Sequence, residues 1–113
     1  MFMSNAMKPH GLSLLDYYNG NKGAAQINRR DDGKVAHVPV SVYFRSYDEL
    51  LPVEYSALEL CRGMILNVGA GTGVHSSVLQ EKGFEVCALD VSEEACQVMR
   101  DKGRTMHRFL RIR

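Results

Sequence analysis

The feature that most constrains this chain is a glycine-rich loop between a short apolar run and a helix-forming stretch. The apolar run at residues 64–68 (MILNV) is typical of a buried parallel strand. The loop GAGTG follows at residues 69–73, and residues 74–82 predict a helix that ends at Gly83. Glycines at such a junction allow a sharp turn and bring backbone N–H groups at the helix N-terminus close to a ligand. The junction therefore predicts a ligand-binding site.

A second strand and helix follow in the order expected of a βαβ unit. Residues 84–89 (FEVCAL) predict a strand that ends at Asp90, and Ser92 is an N-cap candidate for a helix ending near Gly103. We expect a right-handed crossover between the two strands. Asp90 lies about 20 residues beyond the glycine loop, which is the spacing of nucleoside-binding βαβ units. A carboxylate at this strand tip can accept hydrogen bonds from both ribose hydroxyls.

The exact glycine spacing disfavours two common nucleotide-binding loops. A dinucleotide loop needs G-x-G-x-x-G, and its third glycine would fall on Val74 or, in the other register, on Ser76. A bulkier residue there spoils the close approach of helix and strand. No Gly-Lys-Ser/Thr follows the loop, so it is not a P-loop. These departures disfavour an NAD-dependent oxidoreductase and favour another nucleoside ligand.

The motifs ILNVGAGTG at residues 65–73 and LDVS at residues 89–92 identify a family. They resemble motif I and the following acidic position of class I S-adenosylmethionine (SAM)-dependent methyltransferases. The resemblance implies that SAM is the cofactor and that a methyl group passes from it to an acceptor. It implies that Asp90 holds the ribose hydroxyls and that Val91 packs against adenine. The residues that it places beside the methionine and ribose parts of SAM are Gly69, Ala70, Gly71 and Gly73.

Two departures from the family pattern affect what we expect of the chain. The family usually has an acid where this sequence has Asn67, which would meet the methionine ammonium of SAM without a charge. Because a charge-assisted hydrogen bond is roughly twice as strong as a neutral one, we expect weakened SAM binding. The family sheet has seven strands, whereas this sequence predicts two, with a third candidate at residues 104–113 (RTMHRFLRIR).

The fold class expected from these observations is α/β, a truncated Rossmann-like methyltransferase fold with two or three parallel strands. The function expected is SAM-dependent methyl transfer to an unknown acceptor, with catalysis in doubt because the acceptor-binding half of the fold is missing. The alternative is a non-catalytic module that binds SAM or another protein. The arginine-rich residues 104–113 are interpreted either as an edge strand, as a phosphate-contacting tail, or as the end of a truncated or frameshifted gene.

The residues before the glycine loop predict a separate N-terminal segment. Residues 1–6 resemble a cloning remnant, residues 7–52 form a helical and extended segment, and residues 53–113 form the Rossmann-like unit. We expect a helix at residues 12–18, an extended edge segment at residues 35–44 and a helix at residues 53–62.

Several side chains have both a functional and a purely structural interpretation. His75 can meet a ligand as a proton acceptor, or be a half-exposed polar residue at a helix start. An aromatic and basic group can line an acceptor pocket, or simply pack: Tyr43, Phe44, Arg45 and Tyr47. No residue is assigned a catalytic role from sequence alone.

Charge and cysteine usage limit the partners that we expect. The net charge of +1 gives no general attraction to nucleic acid or anionic membrane, so we expect a small-molecule acceptor. No apolar run approaches the ~20 residues that span a bilayer, and no signal peptide is evident. Cys61, Cys87 and Cys96 lack metal-ligand spacing, which predicts a reduced, metal-free cytoplasmic protein. A short sheet leaves apolar edges uncovered, so we expect a homodimer.

Overall fold

A computed structural model describes residues 6–103 of the chain. The N-terminal part contains helix α1 (Lys8–Tyr18), strands β1 (Ala25–Arg29) and β2 (Val35–Pro39), two 3₁₀ turns (Val40–Phe44 and Tyr47–Glu49) and helix α2 (Pro52–Glu59). The second part contains β3 (Ile65–Val68), α3 (Val74–Glu81), β4 (Val86–Leu89) and α4 (Glu93–Asp101). The candidate third strand at residues 104–113 lies outside the described residues.

Strands β3 and β4 form the parallel pair that the sequence predicts, with α3 as the connection between them. Ile65 lies opposite Val86, and Val68 lies opposite Leu89. This βαβ unit confirms the Rossmann-like α/β prediction for the described residues. Within residues 6–103, β3 pairs with β4 alone, so its other edge is open. Leu66 and Val68 on this strand are 60% and 61% exposed.

Helices α2, α3 and α4 bury the apolar side chains of the βαβ unit in two adjoining clusters. The first cluster joins α2, α3 and β4, and consists of Leu50, Leu58, Val78, Leu79 and Val86. The second joins the glycine loop, β4 and α4, and consists of Ala70, Ala88, Cys96 and Met99. Both clusters lie against the strands that carry the loop, so the loop is fixed on a packed base.

Helix α4 begins as its sequence predicts. The hydroxyl of Ser92 accepts a hydrogen bond from the backbone N–H of Ala95 at 3.1 Å, which confirms Ser92 as the N-cap. Glu93 and Glu94 lie in the first turn, where negative charge is favourable, and Arg100 lies in the last turn. These contacts define the position of the β4–α4 junction, where Asp90 lies.

The N-terminal segment contains an antiparallel hairpin that the sequence only partly predicts. β1 pairs with β2, and the turn between them has Gly33 at φ +86°, which confirms the turn predicted at Asp32-Gly33. The prediction of one extended segment over residues 35–44 is wrong beyond Pro39, because Val40 turns inward and is fully buried at the start of a 3₁₀ turn. The backbone N–H of Val40 then bonds the carbonyl of Ala24.

Helix α1 packs against helix α4 and ties the N-terminal segment to the βαβ unit. Leu14 and Val40 are completely buried and share a cluster with Ala95 of α4. A Cβ atom on Gly11 would lie 2.7 Å from Oγ of Ser92, so only glycine permits this approach. The N-terminal segment therefore rests directly on the junction that carries Asp90.

Candidate cofactor site

The glycines of the loop hold positive φ angles but have different surroundings. Gly69, Gly71 and Gly73 have φ angles of +70°, +61° and +87°. A Cβ atom on Gly69 or Gly71 would meet open space, which leaves room for a ligand close to their backbone. A Cβ atom on Gly73 would lie 2.9 Å from Cγ of Met99. Gly73 therefore allows α3 and α4 to pack, whereas the first two glycines form an open cradle.

Asp90 joins the glycine loop to the start of α4. Its Oδ2 accepts a hydrogen bond from the N–H of Gly71 at 2.8 Å, and its Oδ1 accepts one from the N–H of Ser92 at 2.8 Å. The two carboxylate oxygens can accept about four hydrogen bonds in all, so acceptor capacity is left for ribose hydroxyls. The open cradle and this half-buried carboxylate fit a nucleoside.

Asn67, Ala70 and Val91 complete the set of residues that the sequence placed at the cofactor. The Nδ2 of Asn67 donates to the buried hydroxyl of Ser76 at 2.9 Å, and its Oδ1 has no hydrogen bond among the described residues. The N–H of Ala70 donates to the carbonyl of Leu89 at 2.9 Å, which joins the loop to β4. Val91 is half-buried next to Asp90. The structure therefore brings these residues together at the carboxyl ends of β3 and β4.

Thr72 connects the loop to the N-terminal segment, a contact that sequence reasoning missed. Its side chain is 3% exposed and donates to the backbone carbonyl of Tyr43. The ammonium of Lys102 donates to the carbonyl of Thr72 at 3.3 Å and lies 5.4 Å from the ring centre of Phe44. The loop is thereby held from the side of the N-terminal segment and from the end of α4.

Glu54 is the centre of an ionic network that the sequence did not predict. Its carboxylate accepts two hydrogen bonds from the guanidinium of Arg45, both at 2.8 Å, and one from the N–H of Leu51 at 2.7 Å. Its Oε1 also lies 2.7 Å from Nε2 of His75. Arg45 first, then Leu51 and His75, hold the pKa of Glu54 well below its ordinary value of 4.5. Glu54 is therefore ionised at neutral pH.

A cavity of about 390 Å³ lies beside this network, between α2, β3 and the start of α3. Its walls are mainly apolar, with polar groups supplied chiefly by Glu54, Asn67 and His75. The lining residues are Val53, Glu54, Ala57, Leu58, Cys61, Ile65, Leu66, Asn67, His75 and Leu79. Asn67 thus belongs both to this cavity and to the candidate cofactor site.

The aromatic and basic residues at positions 43–47 mainly serve packing. Phe44 stacks on Tyr17 with 4.7 Å between ring centres, and Tyr43 borders the buried cluster around Leu14. Arg45 pairs with Glu54, while it also lines a second cavity of about 300 Å³ together with Tyr47. None of these four residues lines the cavity that contains Asn67 and His75.

The three cysteines differ in burial. Cys96 is fully buried, and burial raises the pKa of its thiol to about 11. Cys61 and Cys87 are half-buried, and all three are free thiols. Among residues 6–103 there is no group of three or more His, Cys, Asp or Glu side chains that could hold a metal ion. In the same range, every helix is too short or too polar to cross a membrane.

Comparisons with known proteins agree with the geometry of the loop. Residues 66–112 match the family described as a methyltransferase domain. The crystal structure of a SAM-dependent methyltransferase from Bacteroides fragilis, in complex with S-adenosyl-L-homocysteine, matches 87% of this chain with a TM-score of 0.74 and 34% sequence identity. These matches confirm the resemblance to SAM-dependent methyltransferases that the glycine loop and Asp90 indicate.

The match to methyltransferases covers only part of their length. This chain corresponds to 40% of the Bacteroides fragilis chain. It is also 33% identical over 79 residues to a 23S rRNA (uracil(747)-C(5))-methyltransferase from Pyrococcus abyssi, which is 68% of this chain and 19% of that protein. The chain therefore spans less than half the length of each of these two relatives.

Proposed function

We propose that this methyltransferase chain binds SAM on the glycine loop and transfers its methyl group to an acceptor. The hydrogen bond between Gly71 and Asp90 carries the proposal, because it fixes a carboxylate beside an open backbone cradle. The Bacteroides fragilis relative was crystallised with S-adenosyl-L-homocysteine, the product that SAM leaves after methyl transfer. When bound, SAM supplies a methyl group that is already activated by its sulfonium.

Each residue of the cradle has a distinct role in this proposal. Asp90 accepts hydrogen bonds from the ribose hydroxyls, and Val91 packs against the adenine. Asn67 presents its Oδ1 to the methionine ammonium, since its Nδ2 is already engaged by Ser76. The loop residues Gly69, Ala70 and Gly71 border the ligand, and Gly73 sets the packing distance of α3. The protein otherwise contributes mainly by orienting the acceptor.

The acceptor in this proposal is a small molecule rather than nucleic acid. The net charge of +1 provides no broad electrostatic attraction to phosphates. The cavity beside Asn67 is mainly apolar, which suits a compact organic ligand. Although the Pyrococcus abyssi relative is named for an RNA substrate, that name applies to a protein of which this chain matches 19%.

The assembly and location that we propose depend on exposed apolar residues and free thiols. Four large apolar side chains at and just before β3 are each at least 60% exposed: Leu60, Met64, Leu66 and Val68. A homodimer would cover them, and light scattering that showed only monomer would contradict it.

Three free cysteines suit a reducing cytoplasmic location. We propose that residues 7–52 form the N-terminal segment and that residues 53–113 form the Rossmann-like unit.

The proposed activity is tested by incubating the chain with SAM that carries a labelled methyl group and separate pools of small molecules and RNA. Labelled small molecules, together with S-adenosyl-L-homocysteine formed in equal amount, are the expected result. At SAM concentrations near the wild-type dissociation constant, an Asp90→Ala variant should strongly reduce both, whereas Asp101→Ala, an exposed acid at the end of α4, should not. SAM binding without any transfer would instead support the non-catalytic module, and the absence of SAM binding would contradict the proposal.

A further inference from the structure

The second cavity, of about 300 Å³, lies between α3, the segment that joins the two 3₁₀ turns, and the end of α4. It shares no lining residue with the cavity that contains Asn67 and His75. None of the residues that we place at the cofactor lines it either. Its volume lies at the lower end of the range for small-molecule sites. The cavity can therefore hold a ligand of its own.

Positive charge is supplied to this cavity by Arg45 and Lys102. The Arg45 guanidinium has five N–H groups, of which Nε donates one to the carbonyl of Val42 and the two terminal nitrogens donate one each to Glu54. The remaining two N–H groups have no acceptor among the described residues. Lys102 lines the cavity as well, and its ammonium donates to the carbonyl of Thr72. An anionic group of a ligand would therefore meet two cations here.

Hydrogen-bond acceptors line the same cavity. Glu81 contributes a carboxylate. The hydroxyl of Ser77 donates its hydrogen to the carbonyl of Gly73 at 2.7 Å, and the hydroxyl of Ser46 donates its hydrogen to the carboxylate of Glu49 at 3.0 Å. Because a hydroxyl has only one hydrogen, both serine oxygens are available to a ligand as acceptors alone. One carboxylate and two such oxygens suit an ammonium group, which has three N–H donors.

The charges of both signs in one small cavity restrict the ligand further. A ligand with only a negative charge would lie close to Glu81, and one with only a positive charge would lie close to Arg45 and Lys102. Like charges repel at such short range, whereas a ligand that carries both charges can meet an opposite charge at each end. Val74 and Val78 add an apolar surface to the cavity. This surface suits an apolar side chain on the ligand.

We propose that this cavity binds a free amino acid with an apolar side chain, at a site separate from the cofactor site. The carboxylate of the amino acid binds Arg45 and Lys102. Its ammonium donates to Glu81 and to the two serine oxygens, and its side chain packs on Val74 and Val78. The inference does not depend on methyl transfer.

The first test compares three probes of similar shape by calorimetric titration of the full chain. L-Leucine carries both charges, 4-methylpentanoate lacks the amino group of leucine, and isopentylamine lacks its carboxylate. We expect L-leucine to bind at least about tenfold more tightly than either analogue, because each analogue loses one set of charged hydrogen bonds. The absence of saturable L-leucine binding, or equal binding of either analogue, would overturn the proposal.

The second test assigns the two ends of the ligand. Glu81→Gln removes the negative charge at nearly constant size, so it should weaken L-leucine binding about tenfold without weakening 4-methylpentanoate binding. Lys102→Met should weaken L-leucine binding without weakening isopentylamine binding. Glu85→Gln, at an exposed acid outside the cavity, is the matched control and should bind L-leucine as the wild type does. A Glu81→Gln variant that binds L-leucine as tightly as the control does would overturn the proposal.

A third measurement separates this site from the cofactor site, because SAM also carries an amino-acid group. L-Leucine is titrated into the chain with and without saturating SAM, and SAM binding is measured by itself. We expect both ligands to bind at the same time. Displacement of L-leucine by SAM would overturn the second site and leave the cofactor proposal intact. Failure of SAM to bind, with L-leucine still bound, would contradict the proposed function and still support this inference.

Discussion

The backbone N–H of Gly71 donates a hydrogen bond to the carboxylate of Asp90 over 2.8 Å. This contact joins the tips of β3 and β4 through the glycine loop, and the second oxygen of Asp90 is fixed by the N–H of Ser92. The carboxylate is thus oriented before any ligand arrives. Because the carboxylate is already ordered, less conformational entropy is lost when a ligand binds, which favours binding.

Replacing Asn67 by Asp should strengthen SAM binding. The new carboxylate would accept a hydrogen bond from the hydroxyl of Ser76, in place of the bond that Asn67 donates to it. It would also give the methionine ammonium a charged partner, which is worth about 1 kcal/mol more than a neutral one. Calorimetric titration should show an affinity roughly fivefold higher. Unchanged or weaker binding would show that position 67 does not face the ammonium.

Alanine substitutions at Gly73 and Gly69 should have different effects. Gly73→Ala forces a positive φ angle on alanine and brings Cβ to 2.9 Å from Met99, so we expect a loss of about 2–4 kcal/mol in unfolding free energy. Gly69→Ala has the same backbone penalty but open space around its Cβ, so about 1–2 kcal/mol is expected. Thermal melts compare the two stabilities.

Measuring SAM binding by these two variants distinguishes a glycine that borders the ligand from a glycine that permits helix packing. Gly69→Ala should weaken SAM binding even where the protein is fully folded, because its methyl group enters the open cradle. Gly73→Ala, assayed well below its melting temperature, should lose less affinity. A larger loss of stability in Gly69→Ala than in Gly73→Ala would contradict the packing that we describe around Met99.

Acid should weaken the contribution of Glu54 to stability. Hydrogen bonds from Arg45, Leu51 and His75 lower the folded-state pKa of Glu54 below its ordinary value of 4.5. The folded state therefore binds the Glu54 proton less readily than the unfolded state does. The resulting stabilisation is complete above about pH 6 and declines as the pH falls below 4.5. Melting temperatures of the wild type and Glu54→Gln should therefore differ at neutral pH and converge in acid.

Glu59 provides the matched control for this pH dependence. It lies on the same helix and is exposed. Glu59→Gln should therefore follow the wild-type melting temperature across the same pH range. A difference between wild type and Glu54→Gln that stayed constant from neutral pH down to pH 3 would contradict the lowered pKa of Glu54.

The sequence predicted the parts of the structure that local chemistry determines. The run of apolar residues before Gly69, the loop itself and the N-cap Ser92 each depend on neighbours close in sequence, and each was predicted correctly. The predicted helices differ from the observed ones by a few residues at their ends, where capping geometry rather than pattern decides the boundary.

Contacts between distant residues were not predictable from sequence alone. Strand β1 has almost no buried side chain, so its sequence lacks the alternation of apolar and polar residues that predicts a strand. Its pairing with β2 defines it as a strand. The contact of Thr72 with Tyr43 spans 29 positions, and that of His75 with Glu54 spans 21. Neither has a local sequence signal, although Glu54, two positions after Pro52, fits the first turn of a helix, where a carboxylate can accept backbone N–H groups.

Calorimetric titration of the chain with SAM, compared with NADH and repeated on Asp90→Ala, tests the central claim most directly. We predict saturable SAM binding by the wild type, no NADH binding, and loss of SAM binding by at least about tenfold in Asp90→Ala, since a charged hydrogen-bond acceptor is removed. A wild-type chain that is folded but does not bind SAM, or an Asp90→Ala variant that binds it equally well, would contradict the claim.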